Sequence, residues 1–289
     1  MVSSQIRANA REALKGKWGK VALIILVYTV FTITLSFLET FFDKSELLSL
    51  LLSLATLIIS VPLSFGLTIS FMKLKRDEEV SSFDFLKEGF SRFGKSWGIQ
   101  WYTFLKLLLP LILGIIIFLI IPLILSFIVS STSMDPGLSM SGLLVIVYAS
   151  PLLVIWIFPK YLLYILAHNI CYDNPEFSSK ECVLKSAELM KGNRVKYFKL
   201  CLSFIGWYFL IYIVYYIVVS ISFKLLGVQI VAGNVGQIGN QIGILLGYLI
   251  MVPGILFLIS YMQVSTVCFY EKVAKFETIN AEPAEKIEE

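Results

Sequence analysis

Along the chain, polar positions gather in short stretches and leave between them apolar runs with almost no charge. Six runs reach the roughly 18 residues that a helix needs to cross a hydrocarbon core. They cover residues 21–38, 47–72, 103–129, 143–167, 197–222 and 243–269. In lipid a lone segment must satisfy its own backbone hydrogen bonds, and a helix does so. The pattern therefore predicts an all-α polytopic membrane protein with six transmembrane helices. Residues 1–276 form a single membrane domain in this reading, and residues 277–289 a disordered acidic tail.

Composition agrees, with 57% hydrophobic and 15% charged residues, against about a quarter charged in soluble domains. No cleavable signal peptide is expected, because Glu39-Thr40-Phe41 follows the first run without a small-x-small pattern. Charge then supplies the orientation. Every Lys and Arg falls in the amino-terminal segment, the loops after spans two and four (the latter counted through Lys199, at the start of span five), or the tail, except Lys44, Lys106, Lys160 and Lys224. Loops rich in Lys and Arg stay in the cytoplasm, so both termini are expected inside. The net charge of +4 thus lines one membrane face, which argues against a nucleic-acid partner. Cys171, Cys182, Cys201 and Cys268 fall in or near the inner half, where thiols stay reduced. No Cys-x-x-Cys spacing occurs, and neither a disulfide nor a zinc site is expected.

The segments before the outward spans share a layout. The first carries Leu14-Lys15-Gly16 and Trp18-Gly19-Lys20, the second Leu86-Lys87-Glu88-Gly89 and Phe93-Gly94-Lys95, the third Met190-Lys191-Gly192. In the first, Ile6, Ala10, Ala13, Leu14 and Trp18 share a helical face, with Arg7, Arg11 and Lys15 off it. Ser81 with Asp84 and Ser178 with Glu181 have capping-box spacing. Gly16, Gly89 and Gly192 suit left-handed caps or sharp turns. Pro62, Pro159 and Pro253 each sit about two turns before the inner end of a returning span. These features predict three repeated hairpins, each preceded by a cytoplasmic interfacial amphipathic helix. The prolines kink the returning helices, and either set their tilt or shape a cavity facing the cytoplasm.

Candidate chemistry is sparse. Lys106 and Lys160 can snorkel to the inner headgroups, with ligand binding by Lys160 the alternative. His168, the one histidine, reads as a polar anchor; a catalytic pair with Asp173 is the sharper and less favoured reading. No His or carboxylate cluster has metal-ligand spacing, so no metal, cofactor or enzymatic activity is expected. Gly239, Gly243 and Gly247 form a small-residue stripe suited to helix packing within the chain or between two copies. Residues 227–242, Gly- and Gln-rich, read as a loop or a partly buried segment. Trp18, Trp97, Trp101, Tyr102, Trp207 and Tyr208 are placed as interfacial anchors.

The stretch from Ser186 through Leu189-Met190-Lys191-Gly192 to Ser203-Phe204-Ile205-Gly206-Trp207 resembles the most recognisable segment of the bacterial family catalogued as domain of unknown function 975. The opening (Arg11, Leu14-Lys15-Gly16, Trp18-Gly19) and the ending (Tyr261, Phe269-Tyr270-Glu271) are similar to that family's ends. The resemblance implies a multi-pass protein of the bacterial plasma membrane and carries no catalytic residues. Together these readings lead to the expectation of a non-enzymatic protein that binds or regulates other membrane components. The partners expected are anionic inner-leaflet lipids at the basic helices and a further membrane protein. The alternative is a transporter or channel for a lipidic or weakly polar solute, which requires a continuous polar path through the bundle.

Overall fold

The computed structural model describes residues 3–41, 46–132, 141–225 and 235–285. Every regular element among them is helical. The chain opens on α1 (Ser3–Leu14) and continues through α2 (Trp18–Phe41) and α3 (Glu46–Lys75). A short α4 (Asp84–Ser91) leads into α5 (Phe93–Ile115), a π-helical turn (Ile116–Ile120) and α6 (Ile121–Thr132). The chain returns through α7 (Ser141–Tyr161), a 3-10 turn (Leu162–Tyr164) and α8 (Ala167–Asp173). Then α9 (Ser179–Met190) leads into α10 (Arg194–Leu225) and α11 (Val235–Glu285).

Among the described residues six stretches are long and apolar enough to cross a membrane: Trp18–Leu38, Leu47–Lys75, Phe93–Ile124, Ala149–Asp173, Arg194–Ser222 and Ile244–Lys275. Each overlaps one predicted span. The third begins at Phe93, earlier than predicted, because the helix continues through the polar and aromatic residues around Trp97 and Trp101. Of the predicted outer segment 227–242, residues 227–234 lie outside the described residues, and Val235 already belongs to α11. The same helix continues past Glu277, where the predicted tail begins, to Glu285; residues 286–289 lie outside the described residues.

Packing divides the chain into two units, Met1–Ser91 with Val195–Glu289, and Arg92–Arg194. The first holds the first and third predicted hairpins, the second the middle one. In the first unit the core is aromatic and aliphatic: Phe65, Phe71, Phe85, Phe204 and Phe269 are fully buried. In the second, the Ile121 N–H bonds to the Ile116 carbonyl, one residue further than in an α-helix. This π turn directly precedes Pro122, which has no N–H to continue the ladder.

Each short helix lies on a returning segment. α4 packs on α3, α9 on the 3-10 turn and α8, and α1 on α11. The pairing is cyclic: a short helix takes the return segment before it in the chain, and α1, with none before it, takes the last. Local chemistry fixes where these helices start. The Ser178 N–H donates to the Glu181 carboxylate (2.7 Å) and the Glu181 N–H to Ser178 Oγ (3.3 Å), a complete capping box. The Ser81 N–H donates to Asp84 Oδ2 at 3.0 Å. Gly16 (φ 78°) and Gly192 (φ 74°) are left-handed, as their spacing predicts. Gly89 departs from that expectation. It lies inside α4, where a Cβ would collide with the Pro62 carbonyl; a Cβ on Gly66 would likewise collide with the Phe85 carbonyl. Gly89 therefore serves a backbone-to-backbone helix crossing rather than a turn.

Candidate functional site

In α1 the spacing of Ile6, Ala10 and Leu14 buries one face, and that face meets α11. Arg7 and Arg11, four residues apart, stand together along its edge. The Tyr261 hydroxyl of α11 donates to the Arg7 carbonyl at 2.9 Å. Trp18 stacks on Phe257 (ring centroids 4.2 Å apart, planes 15° apart) and meets Tyr261 edge-on at 6.2 Å. Phe204 of α10 closes on the other side of Tyr261 at 5.1 Å, nearly perpendicular.

Beside these aromatics lies a cleft of about 510 Å³, in the usual size range for a small-molecule site. Its walls are apolar, from Trp207, Leu210 and Val214 of α10 and Ile250 and Phe257 of α11; Ser4, Arg7 and Arg11 of α1 bring the polar groups. A second groove of about 520 Å³ on the same two helices, between Tyr208, Tyr212 and Met251, has no charged lining.

Four other basic groups of this unit are neutralised within the chain. Lys17 pairs with Asp77, Lys73 with Glu88 and Lys75 with Glu271, and Arg76 lies 3.5 Å from Glu271. Lys17 also donates to the Leu74 carbonyl at 2.8 Å. Lys17, by hydrogen bond and charge, holds the Asp77 carboxyl below its ordinary value. Among the described residues no acidic group pairs with Arg7 or Arg11, and the Arg7 Nε is buried without a hydrogen-bond partner. A buried donor left unpaired is costly. The cleft therefore presents uncompensated positive charge at the edge of an apolar surface.

The sequence-predicted candidates fall elsewhere or play packing roles. Pro62 is buried at the α3–α4 crossing; Pro159 and Pro253 lie inside α7 and α11 on exposed positions. Pro253 precedes Gly254 of the cleft wall. Gly247 is a close-packing position, where a Cβ would come within 2.7 Å of Tyr215 and Val219 of α10. Gly239 and Gly243 lie on α11, but their surroundings lie outside the described residues.

In the second unit, the Lys160 ammonium sits 3.5 Å above the Trp156 ring, a cation–π contact. The Trp156 indole N–H donates to the Pro110 carbonyl at 2.9 Å. His168 is half-buried on α8, and Asp173 is exposed at its end. Beyond Pro159 the helix breaks into the 3-10 turn, and Ser186 of α9 bridges the break. Its hydroxyl donates to the Leu163 carbonyl (2.8 Å) and accepts from the Leu166 N–H (3.2 Å). Cys171 and Cys182 are buried free thiols; the hydrogen bond to Cys171 and burial push the Cys182 thiol up. No group of three or more His, Cys, Asp or Glu suited to a metal occurs among the described residues.

Sequence reasoning placed Arg7 and Arg11 on a basic helix but did not single them out. Their spacing was visible; that neither finds an acid depends on contacts distant in sequence.

The fold and site define a six-span helical membrane protein with a basic-edged apolar cleft. The family model described as Protein of unknown function (DUF975) matches residues 1–277, and the chain belongs to that family. Comparisons with curated proteins and with solved structures gave no match.

Proposed function

We propose that this protein is non-enzymatic and works in a bacterial plasma membrane, termini inside, by binding another membrane component on its basic face. The observation that carries this reading is the cleft between α1, α10 and α11. It joins an apolar cleft of about 510 Å³ to two arginines that have no acidic partner among the described residues. A membrane-resident ligand or partner with an anionic group matches both parts. Paired charges elsewhere in the unit (Lys17–Asp77, Lys75–Glu271) supply stability instead of recognition.

The test is crosslinking in the native membrane from a photoreactive residue at Leu210 or Val214 in the cleft, with Ile213 on the neighbouring exposed face as reference. The reading expects one component, lipid or protein, to be captured repeatedly from the cleft positions and not from Ile213. Equal, unselective capture from all three would contradict it. Solute flux through the reconstituted protein in that case would favour a transporter.

A further inference from the structure

The structure assigns a ligand class to this cleft: we infer that it holds one anionic glycerophospholipid, its phosphate between Arg7 and Arg11 and an acyl chain along Leu210, Val214 and Ile250. The inference rests on the binding function proposed above and names its ligand.

Three observations carry it. First, Arg7 and Arg11 lie one helical turn apart on α1, and both residues line the same cleft. Arginine presents a planar fork of donors that matches phosphate oxygens, and it holds its charge at every physiological pH. Second, the Arg7 Nε is buried, turned away from solvent and unpaired. A small movement of the Arg7 side chain toward a ligand in the cleft would pair this donor in a place shielded from water, where a charge-assisted bond is strong. Third, the wall below is hydrocarbon: Leu210, Val214 and Ile250 leave no polar group for a soluble anion's remaining atoms, whereas an acyl chain fits such a surface. Inorganic phosphate or an acidic peptide would satisfy the arginines and leave this wall uncovered.

The groove between Tyr208, Tyr212 and Met251 provides an internal control. It has nearly the same volume and lies on the same two helices but lacks charge. A hydrocarbon chain can occupy either groove, and only the arginine-edged one selects for the headgroup.

The experiment uses the full chain in detergent micelles, titrated with phosphatidylglycerol or phosphatidylcholine, with bound lipid counted by native mass spectrometry. The wild type should retain one phosphatidylglycerol in preference to phosphatidylcholine. The double variant Arg7→Gln/Arg11→Gln should weaken that retention about 30-fold, from roughly one screened charge contact per arginine. Lys15→Gln/Lys20→Gln, which removes the same charge from exposed positions of the same segment, should leave it unchanged. Val214→Trp, or Leu210→Trp should that variant not fold, should fill the wall and displace the lipid with both arginines intact. Equal losses in the two charge variants would overturn the inference, since that is the behaviour of a diffuse basic surface. Equal retention of both lipids, lost in Val214→Trp, would also overturn it while leaving the binding function standing. Lipid retention indifferent to every cleft variant would remove both.

Discussion

Two short helices of the first unit, α4 and α1, carry the same signature of basic residues, an apolar face and a nearby glycine, and they pack differently. α4 lies on α3 at backbone contact: Gly66 and Gly89 admit the Phe85 and Pro62 carbonyls, Phe85 is fully buried, and Lys73 of α3 pairs with Glu88 of α4. α1 lies on α11, which carries Phe257 and Tyr261 beside it. The large rings fill part of the crossing and leave the rest open as the cleft. One helix closes against its partner and neutralises a charge. The other stands over a cavity, and its two arginines meet no acidic partner among the described residues. The lesson is that an amphipathic basic helix becomes a site where its neighbour's large rings keep the crossing open and no acid pairs its charges.

The largest effect should come from breaking the sealed crossing. Gly66→Leu forces a side chain into the Phe85 carbonyl, where backbone must move, and should destabilise the protein by about 3 kcal/mol or more. Gly19→Ala, whose Cβ would meet nothing within 4 Å, should be nearly neutral in the same thermal-unfolding assay. If both behave alike, the crossing is not the close contact described.

The third short helix sharpens the comparison. On the second unit, α9 sets Ser179 against Gly98 of α5 and also reaches in with Ser186 to satisfy the backbone broken after Pro159. Ser186→Ala should cost about 1–3 kcal/mol, because the Leu166 N–H is left buried and unpaired. Hydrogen exchange at Leu166 should rise at the same time, which a simple packing loss elsewhere would not produce.

Smaller effects follow on the α1 side. Tyr261→Phe removes the donor to the Arg7 carbonyl and should cost about 1 kcal/mol, detected as a lower unfolding temperature. Smallest is the exposed Lys17–Asp77 pair. Its folded carboxyl lies below the ordinary 3.8, so its contribution is fully present above that value and is lost as pH falls through the folded one. Wild type and Asp77→Asn should therefore differ slightly in unfolding temperature near neutral pH and converge in acid, below the folded value. A gap that persists in acid would assign the difference to something other than the ion pair.

Much of this was legible in the sequence because it is local. Length and hydropathy of the apolar runs specify six helices; Ser178 and Glu181 form their capping box within four residues; Gly16 and Gly192 turn left-handed where a helix must stop. The misreading of Gly89 has a plain cause. A glycine near a helix end looks the same whether it frees φ or admits a partner's backbone, and the partner, Pro62 with Gly66, lies in another helix. Pro62, Pro159 and Pro253 are also alike in sequence, yet the helix breaks soon after Pro159 and continues through the other two. The cleft itself was not legible. Arg7 and Arg11 resemble Lys17 or Lys73 until the acids Asp77 and Glu88 are placed in space.

The central claim is that the arginine-edged cleft, and not the basic face as a whole, binds anionic lipid. Unfolding temperature in nanodiscs tests it directly, because a ligand bound only by the folded state raises stability with its occupancy. Replacing phosphatidylcholine by phosphatidylglycerol should raise the unfolding temperature of the wild type and leave that of Arg7→Gln/Arg11→Gln unmoved. The same rise in both proteins would contradict the account.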